Sequence, residues 1–193
     1  SNRQIEIIEA ATNLISKKGI QNLTTKNLAF EMGFSEPALY RHFKNKTDIL
    51  KSVLLYYRQQ LKIGLENILS NKTSGAEKIN GMIDFQFSHF TKNPAIVMVI
   101  FSETSFQYED SLSNTVLTLL NQKKVMLESI IQKGKQDKSI RNDISASQLA
   151  DIIMGSMRFT ILRWRLNDFN FDLIKEGRLL WGALSKVLKC PMK

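Results

Sequence analysis

The sequence predicts an all-α protein of about nine helices. Apolar residues recur every three or four positions along most of the 193-residue chain, which is the period of an amphipathic helix. Cap-forming residues stand where these segments begin, and glycine or short polar runs stand where they end. No segment alternates apolar and polar residues as a strand does, and no internal repeat is present.

Two helices are predicted within the first 33 residues. Residues 3–18 carry an apolar stripe formed by Ile7, Ala11, Leu14 and Ile15. The second helix begins at Thr24 or Thr25, whose hydroxyls can cap free backbone N–H groups. Gly33 ends it, because glycine readily adopts the left-handed backbone of a tight turn.

A third short helix is predicted directly after this turn. Ser35 is placed to cap it, and Pro37 fits its first turn because early N–H groups have no intrahelical partner. The side chains expected to pack the two helices together are Leu28, Ala29, Phe34, Leu39 and Phe43. A helix, short turn and helix of this kind suits the major groove of DNA.

The segments LTTKNLA and EPALYRHFKNK within residues 23–46 resemble the TetR family of bacterial transcriptional regulators. Beyond Leu54 the similarity extends only to the family's general plan of amphipathic helices. The resemblance implies a helix-turn-helix DNA-binding domain at residues 1–48 and a helical effector-binding and dimerisation domain at 49–193. It also implies DNA contacts from Thr25, Lys26, Ser35, Glu36, Pro37, Ala38, Tyr40, Arg41, His42 and Lys46.

Four of these residues also have an ordinary structural explanation. Tyr40 can be a core aromatic, although the family's tyrosine contacts a DNA phosphate, and His42 can be a surface histidine. Lys46 stands at a helix start, where the helix dipole disfavours a cation, so a phosphate partner explains it better. Glu36 suits the dipole of its own helix, or it can accept a hydrogen bond from a cytosine amino group.

The charge distribution favours an anionic partner. The formal net charge is +9, and residues 1–62 carry ten Lys and Arg against five Asp and Glu, a net +5. The remaining 131 residues carry +4, so charge is denser in the first third. Without the motif, a merely solvated basic surface would explain this equally well.

Several other classes of protein are not expected. Cys190 is the single cysteine and there are two histidines, so neither an intrachain disulfide nor a metal cluster is predicted. The longest apolar run, residues 95–101, is far below the ~20 residues of a membrane span, so a cytoplasmic protein without a membrane partner is expected. No arrangement of catalytic residues is recognisable, and neither enzymatic activity nor a cofactor is predicted.

Six further helices are predicted after residue 46. Thr47 is expected to cap a helix running to about residue 69, which spans the change in composition and is a candidate mechanical connection. Two S-x-x-[EQ] capping boxes are expected, Ser74 with Glu77 and Ser145 with Gln148. The other predicted helices are residues 94–101, 111–134, 146–166 and 172–188. Gly134 is expected to help end the fourth of these six, residues 111–134.

Aromatic residues beyond residue 65 suggest an apolar ligand cavity between helices. The candidates are Phe85, Phe87, Phe90, Met98, Phe101, Phe106, Phe159 and Trp164. Each of them can equally be an ordinary core residue. The predicted ligand is a small apolar or aromatic effector.

The last two helices carry more apolar surface than one small core requires. Gly155 and Ser156 allow close helix approach, and Leu180, Trp181 and Leu184 form a broad apolar patch. A homodimer through these residues is expected, as in the family, and closure of the chain's own core is the alternative.

Two functions remain open from the sequence. The first is a homodimeric, ligand-responsive repressor bound to a palindromic double-stranded operator. The second is a DNA-binding dimer with an architectural or chromosome-associated role and no small-molecule effector.

Overall fold

The computed structural model describes residues 1–102 and 110–189, which form nine α-helices and no strand. The helices are α1 (Asn2–Lys18), α2 (Thr25–Met32), α3 (Glu36–Tyr40), α4 (Lys46–Ser70), α5 (Gly75–Lys92), α6 (Pro94–Ile100), α7 (Asp110–Gln136), α8 (Ala146–Leu166) and α9 (Leu173–Leu188). A short 3-10 turn, Ile20–Asn22, follows α1. The all-α prediction is confirmed. None of these helices is both long and apolar enough to cross a membrane.

The chain divides into two compact units. The first unit comprises Ser1–Gln60 and Asn93–Thr118, and the second comprises Leu61–Lys92 and Leu119–Lys193. Helices α4 and α7 contribute residues to both units. The domain boundary expected after residue 48 stays a prediction.

In the first unit, α1 packs against α2, the 3-10 turn and α6. The predicted packing between α2 and α3 is present, since Leu28, Ala29, Leu39 and Phe43 are all buried. Phe34 is only half-buried, and its ring centre lies 5.1 Å from the guanidinium carbon of Arg3. The turn between α2 and α3 is therefore fixed by buried side chains on both of its flanks.

The local signals around this turn behave as predicted with one exception. The Thr24 hydroxyl accepts a hydrogen bond from the backbone N–H of Asn27, and Gly33 adopts a left-handed backbone with φ of 67°. Ser35 is the N-cap residue of α3, as predicted, but its side chain accepts no hydrogen bond from the helix. Pro37 occupies the second helical position and has no N–H to donate, and the Ala38 N–H bonds to the Ser35 carbonyl oxygen instead, at 3.0 Å.

Helix α4 begins one residue earlier than predicted and uses a different cap. The Asn45 side-chain oxygen accepts from the Asp48 backbone N–H at 2.8 Å, while an Asp48 carboxylate oxygen accepts from the Lys44 N–H at 3.1 Å. Asn45 therefore serves the role that the sequence assigned to Thr47.

In the second unit, α9 packs against α5 and α8. Both predicted capping boxes are present: Ser74 with Glu77, and Ser145 with Gln148. Helix α7 continues past Gly134 to Gln136, two residues beyond the predicted end. A Cβ on Gly75 would lie 2.4 Å from the Gly134 Cα, so the backbones of α5 and α7 approach closely at these two glycines. Gly134 therefore permits this close approach and does not end α7.

Candidate functional site

The residues predicted to contact DNA all retain at least partial exposure. The exposed members are Lys26, Ser35, Pro37, Tyr40 and Arg41. The half-buried members are Thr25, Glu36, Ala38, His42 and Lys46. They lie at the start of α2, from the residue before α3 to just after it, and at the start of α4. Their inward neighbours Leu39 and Phe43 hold the short α3 segment against the rest of the unit.

A hydrogen-bonded cluster, which we call the Thr25 cluster, joins α2 to α3 and consists of Thr25, Glu36 and Tyr40. Thr25 Oγ1 donates to Glu36 Oε2 at 3.0 Å and lies 3.3 Å from the Tyr40 hydroxyl oxygen. A threonine hydroxyl carries one hydrogen, which Thr25 gives to the carboxylate. The Tyr40 hydroxyl is therefore the donor in its contact with Thr25.

The hydrogen bond from Thr25 holds the Glu36 carboxylate in one position. The carboxylate uses one oxygen for Thr25, and the other accepts no hydrogen bond from the described residues. An ionised carboxylate is an acceptor only, which matches an amino group on a base edge. Since Glu36 is also the first residue of α3, its charge suits the helix dipole in addition.

Lys46 has a structural partner that the sequence did not reveal. Its Nζ donates to the carbonyl oxygen of Ile20 at 3.2 Å, which ties the first residue of α4 to the 3-10 turn after α1. An ammonium group has three N–H donors, so this bond leaves donors for a phosphate. The position of this lysine at a helix start is explained without DNA.

Three cations around the motif face solvent without a side-chain partner among the described residues. Lys26 and Arg41 belong to the predicted contact set, and Lys44 does not, although it lies within the quoted motif. Sequence reasoning missed Lys44 because the resemblance was carried over only at the motif's characteristic positions. All three are free to neutralise phosphates.

The predicted ligand-cavity residues fall in different places. Met98 and Phe101 belong to the first unit, and Phe106 lies outside the described residues. In the second unit Phe87 and Phe90 are buried core residues, whereas Phe159 is 62% exposed. The assignment of these residues to a cavity stays a prediction.

Two members of this set have specific neighbours within the second unit. The half-buried Phe85 ring stacks on His89 with 6.0 Å between ring centres. Burial, and to a smaller extent the charge of Lys92, lowers the pKa of His89. Trp164 is buried, and its Nε1–H donates to the Phe171 carbonyl oxygen at 2.9 Å.

The predicted dimer residues divide between two faces. Gly155 on α8 is exposed, and an added Cβ there would meet nothing within 4 Å, while Ser156 beside it is half-buried. On α9, Leu184 is buried, and Leu180 and Trp181 are half-buried. The assignment of these residues to a dimer interface stays a prediction. The apolar side chains that remain exposed on the two helices include Ile152, Phe159, Leu166, Leu179 and Val187.

An all-helical chain with this helix-turn-helix surface defines a DNA-binding protein of the transcription-regulator class. A sequence model described as bacterial regulatory proteins of the tetR family matches residues 7–53, and one described as the C-terminal region of YsiA-like proteins matches residues 59–185. The chain belongs to the tetR family of bacterial regulatory proteins. It is a DNA-binding transcriptional regulator.

The chain aligns over nearly its whole length with several bacterial proteins. The nucleoid occlusion factor SlmA of Vibrio vulnificus is 23% identical over 190 residues, which are 98% of this chain and 97% of the relative. The transcriptional regulator FadR of Bacillus subtilis, solved in complex with stearoyl-CoA, superposes with a TM-score of 0.83 at 24% identity and covers 96% of this chain and 98% of that one. The fatty acid degradation regulator FadR of Bacillus halodurans gives a TM-score of 0.84 at 17% identity, with 95% of each chain covered. These two solved structures share the fold.

Proposed function

We propose that this protein is a homodimeric repressor that binds a palindromic operator and releases it when a small, mostly apolar effector binds. The observation that carries the proposal is the Thr25 cluster, which holds an acceptor-only carboxylate and an exposed tyrosine hydroxyl on the surface of the helix-turn-helix. Three exposed cations lie close to the Thr25 cluster along the chain: Lys26, Arg41 and Lys44.

In the proposed complex the two kinds of group have different tasks. The cations bind phosphates, and the Tyr40 hydroxyl turns its single hydrogen from Thr25 Oγ1 to a phosphate oxygen. These contacts set affinity and register but not sequence. Glu36 accepts from a base amino group in the major groove, which sets preference at one base pair. A dimer presents two such surfaces, so its operator is a pair of inverted half-sites.

The second copy of the chain is proposed to cover the exposed apolar faces of α8 and α9. Phe159 and Leu179 are 62% and 61% exposed, and large apolar side chains exposed on two packed helices favour an association site. Gly155 and Gly182 lie on these same helices, and an added Cβ at either would meet nothing within 4 Å. Two copies of the helix pair can therefore approach closely and form a four-helix interface.

The effector is proposed to bind in the second unit and to act through α4. The unit is rich in buried aliphatic and aromatic side chains, among them Phe87, Phe90 and Trp164, which suits an apolar ligand. Helix α4 is continuous from the helix-turn-helix into the second unit. An effector that favours a shifted α4 lowers operator affinity, and operator binding must weaken effector binding by the same factor. Acyl compounds are the first probes to test, because the similar regulator FadR of Bacillus subtilis was solved in complex with stearoyl-CoA.

A second candidate is a chromosome-associated DNA-binding dimer that has no effector. The similarity to a nucleoid occlusion factor over 98% of the chain favours it.

The test is to select binding sequences from fragmented genomic DNA and to measure affinity for them by fluorescence anisotropy, with and without laurate or lauroyl-CoA. The repressor proposal expects a few palindromic sites and an affinity lowered roughly 5- to 150-fold by an effector. Sites scattered along the chromosome, with affinities that neither compound changes, would favour the second candidate.

A further inference from the structure

A charged side chain lies partly buried between two helices of the second unit. Lys123 of α7 donates from Nζ to Oε1 of Gln86 on α5 at 2.7 Å, and both residues are half-buried. The residues one turn away on either side along the two helices are apolar: Met82 and Phe90 around Gln86, and Leu119 and Leu127 around Lys123. The ammonium group therefore sits within an apolar stripe of both helices.

The contacts of this ammonium group are incomplete. It has three N–H donors, and the described residues supply one acceptor, the neutral Gln86 amide. No carboxylate of the described residues lies within 4.0 Å of Lys123 Nζ, whereas the adjacent Lys124 pairs with Asp151 at 2.7 Å. A charge that is partly removed from water and has no counter-charge is unfavourable, so a lysine here calls for an explanation.

The charge persists in spite of burial. Burial lowers the pKa of Lys123 to about 8, so roughly nine in ten molecules are protonated at neutral pH. His89 lies one turn beyond Gln86 on α5, and burial lowers its pKa, so it is neutral at the same pH. Lys123 is therefore the charged member of the contact with Gln86. It is not among the residues proposed to contact DNA.

We propose that Lys123 and Gln86 bind an anionic oxygen, from a carboxylate or a phosphate, on an otherwise apolar ligand. The inference rests on the proposed effector response and names the polar end of that effector. The two remaining ammonium N–H groups donate to the anion, and the Gln86 amide N–H₂ adds neutral donors. The apolar neighbours on α5 and α7 contact the hydrocarbon part of the ligand.

The test compares laurate, lauroyl-CoA and the uncharged methyl laurate by calorimetry on the full-length protein. Wild type is expected to bind at least one of the two anions about 10-fold or more tighter than the methyl ester, since hydrogen bonds to charged groups are the stronger ones. Lys123→Met removes the charge at similar length and should abolish that preference. Lys133→Met, at an exposed lysine on the same helix, should retain it. Preference for laurate identifies a carboxylate as the anion, and preference for lauroyl-CoA alone identifies phosphate.

The outcomes separate this inference from the proposed function. Equal binding of anions and ester by wild type, or a preference that survives in Lys123→Met, overturns the inference and leaves the effector response intact. Absence of binding of all three compounds overturns the inference, and the operator measurements described above decide the proposed function separately. If Lys123→Met does not fold, as judged by circular dichroism, Lys123→Gln serves in its place, because glutamine keeps a polar group and removes only the charge.

Discussion

The ring of Phe85 lies directly against the backbone of Gly64, so that a Cβ on Gly64 would stand 1.9 Å from the Phe85 Cζ atom. This contact joins α4 to α5 inside the second unit. Gly64→Ala should therefore lower the free energy of unfolding, because overpacking costs about 1–3 kcal/mol and exceeds the ~1 kcal/mol that alanine gains over glycine in a helix. Chemical denaturation measures the change.

A double variant provides the control for this prediction. In a Phe85→Leu background the obstructing ring is gone, so Gly64→Ala should become stabilising by about 0.5–1 kcal/mol. If the alanine has the same effect in both backgrounds, Phe85 does not limit the position of α4.

The Thr25 cluster makes a prediction about base preference. Thr25→Val removes the hydroxyl at constant shape, so Glu36 loses its anchor and Tyr40 its acceptor. Preference at the base pair read by Glu36 should relax by about 1–3 kcal/mol. Anisotropy titrations with operators substituted at single base pairs measure this. A uniform loss on every operator would mean that Glu36 serves only its own helix.

Salt dependence tests the phosphate contacts. If each subunit neutralises about four phosphates, log K should fall against log salt with a slope near −7. Arg41→Ala removes one contact from each subunit, so it should make the slope shallower by about 2. It should leave stability unchanged, since the Arg41 side chain is exposed and has no polar partner among the described residues. Lys46→Ala should also lower thermal stability, because it breaks the bond to the Ile20 carbonyl. An unchanged slope in Arg41→Ala would remove that residue from the DNA contacts.

Dimerisation is tested at two exposed positions. Phe159→Glu and Leu179→Glu should each yield monomers that bind a full operator weakly, because a charge would enter an apolar interface. Val125→Glu is the matched control, since Val125 is 64% exposed but lies on α7. Sedimentation velocity gives the masses. Intact dimers in both variants would exclude the proposed faces of α8 and α9.

The desolvated lysine predicts a pH-dependent gain in stability on its removal. The pKa of Lys123 in the folded protein, about 8, lies below its ordinary value of 10.5, so burial penalises folding fully below pH 8. Between those values the unfolded chain binds more protons, and the stability of wild type rises with pH. Lys123→Met should thus be more stable than wild type by roughly 1–3 kcal/mol at pH 7, with the difference shrinking toward pH 10.5. Denaturation at several pH values checks this, and a destabilised variant at pH 7 would show that the Gln86 bond supports the fold.

The helix-turn-helix could be predicted because its determinants are local. Thr24, Gly33 and the buried pair Leu28 and Leu39 act within a few residues of one another. The bond from Lys46 to Ile20 joins residues 26 positions apart and has no periodic signal. Sequence reasoning could therefore weigh only a phosphate partner against a solvated lysine, and it favoured the phosphate.

The outer face of α9 was not predictable for a different reason. Both of its long faces carry apolar residues, so periodicity identifies two stripes without saying which one faces the core. Leu184 turned out to be buried, whereas Leu179 and Val187 are exposed. Only the packing of α9 against α5 and α8 decides between the stripes.

The bond between Thr25 and Glu36 also bears on how a regulator of this kind acquires new target genes. Thr25 is the donor, so a glutamine at position 36 would accept the same bond through its carbonyl oxygen and keep the surface intact. Its amide would then offer donors as well as an acceptor to the base edge, which suits adenine where the carboxylate suits cytosine. A single-base change in a glutamate codon makes this exchange. Under the proposed base contact of Glu36, duplicated genes with this surface can thus move to separate operators in one mutational step without passing through a poorly folded intermediate.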